Sequence, residues 1–202
     1  MPSSYVSKVA ARYLDRIQTD SVEDITFSLR PSERSYQILA RHPRLKQVGY
    51  VNLEMVDLDT QTGLEEYEDG EFGSSIVQSR VDLEKWRNKL KNPQLQVWGV
   101  VNSWTDRRFR SEGLGVRLYL IALAVMARIP ALIVPNRVFG GTLSTSKDAD
   151  RVWVSLKRSL PHIGDLVWGG GLNLNHLLNT PLKPRRGRGF GPRRRYVYPF
   201  EE

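Results

Sequence analysis

Near the middle of the chain stands Arg110-Ser111-Glu112-Gly113-Leu114-Gly115-Val116-Arg117-Leu118-Tyr119, a basic, glycine-paired turn that runs directly into an apolar helix. Val97-Trp98-Gly99-Val100-Val101 precedes it as a strand. The amides in the first turn of a helix have no intrahelical acceptor and point outward, so such a strand-to-helix turn can hold a phosphate or pyrophosphate. An anionic ligand is the first expectation that this stretch raises.

Downstream, the apolar run from Leu114 to Ala127 is interrupted by Arg117 and bounded by Arg110 and Arg128. It falls short of the roughly 20 apolar residues that span a bilayer and reads as a buried helix. Pro130 stops it. Ala131-Leu132-Ile133-Val134 is wholly apolar, the pattern of a central strand buried on both faces. Thr145-Ser146-Lys147-Asp148 has capping-box spacing, with Thr145 as N-cap and Asp148 three residues on. It opens a helix through Val152, Trp153 and Leu156 to about Ser159, and Gly169-Gly170-Gly171 breaks the chain beyond it.

Upstream, a strand is expected over Leu95 to Val101, preceded by a helix from Asp82, its cap, to Leu90, with Asn92-Pro93 as the stop. Asp57 to Glu71 carries seven acidic residues and no basic one, which suits a solvated hairpin connection leading to a second strand near Ser75 to Val81. Gln47 to Asp57 alternates, with Val51, Leu53 and Met55 on one face and Tyr50, Asn52 and Glu54 on the other. Ile25 to Arg30 alternates in the same way. Residues 4 to 18 place Val6, Val9, Ala10, Tyr13, Leu14 and Ile17 on one helical stripe, which reads as a helix docked on the core or on a neighbouring subunit.

Composition narrows the classes. With 202 residues, 40% hydrophobic and 26% charged, the chain can bury a globular core, and its formal charge of +8 favours anionic partners. It has no cysteine, which excludes disulfides, thiolate zinc sites and cysteine nucleophiles. His42, His162 and His176 are isolated and lack metal-ligand spacing, so no metal is expected. The N-terminus carries no secretory pattern, and no membrane span is expected. Between Lys183 and Arg195 lie seven basic residues and no acidic one, followed by Tyr196, Tyr198 and Phe200. Arg185, Arg186, Arg188, Arg193, Arg194 and Arg195 therefore stand for contact with nucleic acid or with a neighbouring subunit, the acidic block at Asp57 to Glu71 being one docking partner.

Strand, basic glycine turn, apolar helix, buried strand and second capped helix form a β-α-β-α unit preceded by antiparallel strands. This order resembles the GNAT (Gcn5-related) N-acetyltransferase superfamily, whose signature Arg/Gln-x-x-Gly-x-Gly/Ala at the helix after the fourth strand is met by Arg110-x-x-Gly113-x-Gly115. The run from Thr145 to Trp153 is similar to the fourth-helix start of GNAT-like proteins encoded by bacteriophages. The match covers roughly Gln96 to Leu160. It implies an α+β fold, a mixed and mostly antiparallel sheet flanked by helices, with an N-terminal helix over 1–20, a GNAT-like domain over 21–180 and a basic C-terminal tail over 181–202.

The resemblance also implies acetyl-CoA, with its pyrophosphate on the turn and its pantetheine arm between the strands Gln96–Asn102 and Ala131–Val134. The cofactor residues it implies are Asn102, Trp104, Arg107, Arg108, Arg110, Ser111, Glu112, Gly113, Leu114 and Gly115. Acetyl transfer to an amine needs a base and a donor for the leaving thiolate. Glu54 is the candidate base by strand alternation. The tyrosine that many members use as donor has no counterpart between Tyr119 and Tyr196, which leaves Ser144, Thr145 or Tyr196 for that role. Asp106, beside three arginines, is expected to be a salt-bridge partner with a lowered pKa.

Two functions stand at this point. One is an acetyl-CoA-dependent N-acetyltransferase acting on an amine in the cytoplasm. The other is a non-catalytic GNAT-like phage virion or assembly protein, possessing a homo-oligomeric or virion contact surface at its termini.

Overall fold

A computed structural model of the chain describes residues 25–58, 71–110, 112–136, 145–179 and 182. Three strands come first, β1 (Thr26–Pro31), β2 (Ser35–His42) and β3 (Lys46–Val56), and helix α1 (Glu71–Leu90) follows. Next come β4 (Gln96–Thr105), the short α2 (Arg107–Arg110), α3 (Leu114–Arg128) and β5 (Ala131–Pro135). The described chain closes with α4 (Lys147–Ser159), the hairpin β6 (His162–Ile163) and β7 (Leu166–Trp168), and α5 (Leu174–Asn179). The strands form one seven-stranded sheet in the order β1-β2-β3-β4-β5-β7-β6. Only β4 and β5 pair in parallel, and α3 is the crossover that such a pair requires. The fold is therefore α+β, a mostly antiparallel sheet flanked by helices.

Helix α3 occupies the centre of one face. Eleven of its fifteen residues are buried, among them Leu118, Ile121 and Met126, which pack on Val51 and Leu53 of β3, Val100 of β4 and Ile133 of β5. Trp153 and Leu156 of α4 and Leu174 and Leu177 of α5 complete this core. The helix lies close to the sheet because two positions beneath it lack side chains. A Cβ on Gly49 would come within 2.9 Å of Leu118 Cδ1, and one on Gly169 would overlap the Leu123 backbone carbonyl.

On the other face, α1 buries Ser79, Asp82, Leu83 and Trp86, the i, i+3, i+4, i+7 set of one helical stripe. Leu83 and Trp86 pack on Val97, Leu132, Val134 and Leu166. Strand β5 is thus buried on both sides, Ala131 and Ile133 toward α3 and Leu132 and Val134 toward α1, as its unbroken apolar run predicts.

Three expectations need correction. The segment expected as a strand from Ser75 to Val81 is the first half of α1, and Asp82 lies inside that helix instead of capping it. There its carboxylate accepts from Gln78 Nε2 and Lys85 Nζ, both at 2.9 Å. The apparent alternation misleads because Val77 and Val81 are exposed, and only the helical stripe meets the core. The cap of α4 is Ser146, not Thr145: Ser146 Oγ accepts the Ala149 amide at 3.3 Å. Strand β2 was not anticipated, since Ser35–His42 lacks simple alternation. The N-terminal stripe at 4–18 and the basic tail, including Arg185, Arg186, Arg188, Arg193, Arg194 and Arg195, lie outside the described residues, as does most of the acidic block.

The two glycine contacts differ from Gly115 in a way that stability measurements resolve. Gly169→Ala must displace helix backbone, and overpacking of this kind costs about 3 kcal/mol. Gly115→Ala meets only Thr105 Oγ1 at 3.3 Å and should cost under about 1 kcal/mol. Urea unfolding of the two variants should show that ranking.

Candidate functional site

Two breaks in regular pairing coincide on β4. Its last pair with β5 is Val100 with Pro135, after which Asn102 to Thr105 pair with β3 alone among the described residues. At the same place Asn52 pairs with Asn102 but Leu53 pairs with Val100, so Val101 is an extra residue, a β-bulge. The bulge reverses which side chains face α3. Trp98 and Val100 face it before the bulge, and Ser103 and Thr105 face it afterwards. The Ser103 hydroxyl lies 2.9 Å from the Tyr119 hydroxyl on α3, and Thr105 Oγ1 lies beside Gly115.

The glycine turn sits over the end of β4. Gly113 is the N-cap of α3 at φ 82°, ψ 9°, a left-handed conformation that favours glycine, and no side chain caps the helix. The first intrahelical bond runs from the Arg117 amide to the Gly113 carbonyl at 3.0 Å. The amides of Leu114, Gly115 and Val116 precede it and have no intrahelical acceptor. Glu112, also in the turn, donates its amide to the Phe109 carbonyl at 3.1 Å. Ser111 lies outside the described residues.

The arginines around the turn are differently committed. Asp106 caps α2 through the Arg108 amide and pairs with the Arg108 guanidinium, Nε at 3.0 Å and Nη2 at 2.8 Å. The Arg108 side-chain bonds hold the Asp106 carboxyl below the usual aspartate range, against the opposing effect of burial. Arg110 donates Nε to the Thr105 carbonyl at 3.0 Å and Nη1 to Asp148 at 3.1 Å, which ties the turn to the start of α4. Both members of that ion pair are about half exposed, so it is worth at most ~1 kcal/mol and a phosphate can exchange into it. Arg107 is exposed and has no ion pair among the described residues. Arg117, in the first turn of α3, is fully buried, and burial pushes its guanidinium down to about 10, so it remains charged at neutral pH.

The other anticipated residues are distributed across the sheet. Asn102 and Trp104 project onto the face away from α3, where Asn102 accepts from Asn52 and Trp104 stacks on Tyr50. Glu54 is on that same face of β3, exposed, opposite Ser35 and Gly99. Thr145 stands just before the cap of α4, its Oγ1 buried and without a hydrogen-bond partner, and Ser144 lies outside the described residues. His42 accepts the Arg44 and Leu45 amides on Nδ1, both at 3.2 Å, a turn-closing role. No group of metal-ligating side chains occurs among the described residues, and no described helix is long and apolar enough to cross a membrane.

Sequence reasoning missed Ser103 and Tyr119. Strict alternation from Trp98 and Val100 would put Asn102 and Trp104 toward α3, and nothing in the residue types around Val101 marks the extra residue. Tyr119, nearly buried, makes an edge-on contact with Trp153 at 5.4 Å, and burial pushes its phenol up while the Ser103 bond pulls the other way. Comparison with protein-family models, with curated proteins and with solved structures finds no match to the chain.

The Asp106 pair gives a pH signature. A carboxyl whose folded pKa is depressed contributes stability above its unfolded pKa and loses it as pH falls through the folded one. Asp106→Asn should therefore be less stable than the parent chain at neutral pH, and the difference should shrink as pH falls through and below the normal aspartate range. Thermal melts across pH 7 to about pH 2 would read this.

Proposed function

We propose that the chain is an acetyl-CoA-dependent N-acetyltransferase of GNAT type, with an amine as acceptor. One observation carries the reading: β4 outlasts its parallel neighbour β5, whose last residue Pro135 pairs with Val100, and the glycine turn stands at the end of that longer half of β4. Crevices at the carboxyl ends of parallel strands, beside a helix N-terminus, are where nucleotide-like ligands bind in open sheets. The position after the fourth strand is the one that the GNAT resemblance implies for the pyrophosphate, and the end of β5 beside β4 is where it implies the pantetheine arm.

The residues present suit such a group. Leu114 is fully buried, so the Gly115 and Val116 amides would hold the pyrophosphate, Arg107 would add uncommitted charge, and Arg110 would add more by leaving Asp148. The thioester of acetyl-CoA supplies an acyl group activated toward attack by an amine. On that half of β4, Ser103 is exposed and hydrogen-bonded to Tyr119, so it is the hydroxyl placed to give a proton to a departing sulfur. It takes the role for which Ser144, Thr145 or Tyr196 stood. Glu54 remains the candidate base, for an amine arriving from the far face of β3.

A non-catalytic GNAT-like virion or assembly protein is the second reading. It is favoured by the position of Glu54 across the sheet from the glycine turn and by the ion pairs that engage Arg108 and Arg110.

Calorimetry with CoA and acetyl-CoA tests the first reading. Saturable binding is expected, lost in Gly113→Asp, where a left-handed backbone and an added carboxylate both oppose it. Arg107→Ala should weaken binding about fivefold, the worth of one exposed charge contact of ~1 kcal/mol. With an accepted amine, Ser103→Ala should lower kcat by about 100-fold at unchanged CoA affinity. Absence of binding at millimolar CoA would remove the enzyme reading.

A further inference from the structure

The sheet face opposite α3 carries a second feature, independent of the glycine turn. The register aligns Arg30, Gln37, Asn52 and Asn102 in one row across β1 to β4, a span of about 14 Å at ~4.8 Å per strand. Gln37 Nε2 donates to Asn52 Oδ1 at 2.8 Å, and Asn52 Nδ2 donates to Asn102 Oδ1 at 2.7 Å. The chain of carboxamides is thereby oriented. The Asn102 Nδ2 hydrogens are left unused at one end and Gln37 Oε1 at the other, among the described residues.

The next row holds the aromatic pair. Tyr50 and Trp104 stack at 6.2 Å with 30° between their planes, and Trp104 is 39% exposed. The α1 core includes neither ring, while Leu39, beside Tyr50 in the same row, is buried, so the row is open at its Tyr50 and Trp104 end. Arg30 and Arg41 are exposed, project to the same side, and have no ion pair among the described residues. Glu54 lies on the same face in the row of Ser35 and Gly99, on the other side of the amide row from the rings.

We propose that this face of β1 to β4 binds single-stranded nucleic acid. The exposed Trp104 ring, backed by Tyr50, offers a π-face to an unstacked base, which a duplex keeps out of reach. Fixed amide donors and acceptors two residues from Trp104 suit base edges, whose hydrogen-bonding groups are of both kinds. Unpaired guanidinium groups flanking the rows complement the phosphates. Each element has one position set by strand register. The platform needs neither the basic tail nor the cofactor reading.

Fluorescence anisotropy of the full chain with labelled 12-residue oligo-dT and oligo-U tests it. Both oligomers should bind at low salt, and a duplex of equal length should compete poorly. Trp104→Ala should weaken binding about tenfold or more, and Trp104→Phe should largely restore it, because the stacking surface returns. Asn102→Asp, which preserves shape and adds a negative charge, should weaken binding as well. Arg30→Ala should lower the slope of log affinity against log salt by about 0.7. All three positions are exposed, so melts of the variants should stay close to the parent. A combined Arg193→Ala, Arg194→Ala and Arg195→Ala chain should keep its dependence on Trp104. Failure of either oligomer to bind would overturn the proposal. So would binding that survives Trp104→Ala and disappears with the tail arginines, or a Trp104→Ala effect confined to oligomeric mass.

Discussion

Helix α3 can lie against the sheet only because Gly49 and Gly169 place no side chain beneath it. That close seat lets a helix buried along most of its length act as the crossover between β4 and β5, and it fixes where the N-terminus of the helix emerges. The emergence point decides the site. A helix held even one side chain's thickness farther from the sheet would carry its free amides away from Thr105 and Ser103. The close seat of α3 on the sheet and the position of its free N-terminal amides are therefore one constraint.

Strand β4 carries the second constraint. It runs on beyond Pro135, the last residue of β5, and one extra residue at Val101 exchanges its two faces within a single step. Toward α3 it presents hydroxyls, Ser103 linked to Tyr119 and Thr105 beside Gly115. Toward the far side it presents Asn102 and Trp104, joined to the amide and aromatic rows of β2 and β3. Without the bulge these two chemistries would be interchanged. Both proposed activities of the sheet thus depend on the same irregularity, though they occupy opposite faces.

The architecture of the central unit was legible because its signals were local and strong. A wholly apolar Ala131–Val134 run, a glycine-paired turn and a long apolar helix each admit few structures, and each was placed where it occurs. Where patterns were short, tertiary context decided. Val77 and Val81 imitate strand alternation but sit on the solvent side of α1, and β2 buries Ile38, Leu39 and Ala40 consecutively, which hides its period. The site was legible at its glycines and not at its polar groups, since a bulge leaves no mark in residue type. The commitment of Asp106 to Arg108 was readable from charge proximity, whereas the pairing of Arg110 with Asp148 spans 38 positions and needed the fold.

The central claim is that the Gly115 and Val116 amides at the start of α3, which have no intrahelical acceptor, receive a pyrophosphate. The direct measurement is an amide NMR titration of the isotopically labelled chain with CoA, followed residue by residue. The account predicts saturable shifts concentrated at Gly115 and Val116, extending to Ser103 and Thr105, and absent in Gly113→Asp. Shifts that spare these amides, or that rise without saturation across the arginines alone, would contradict it.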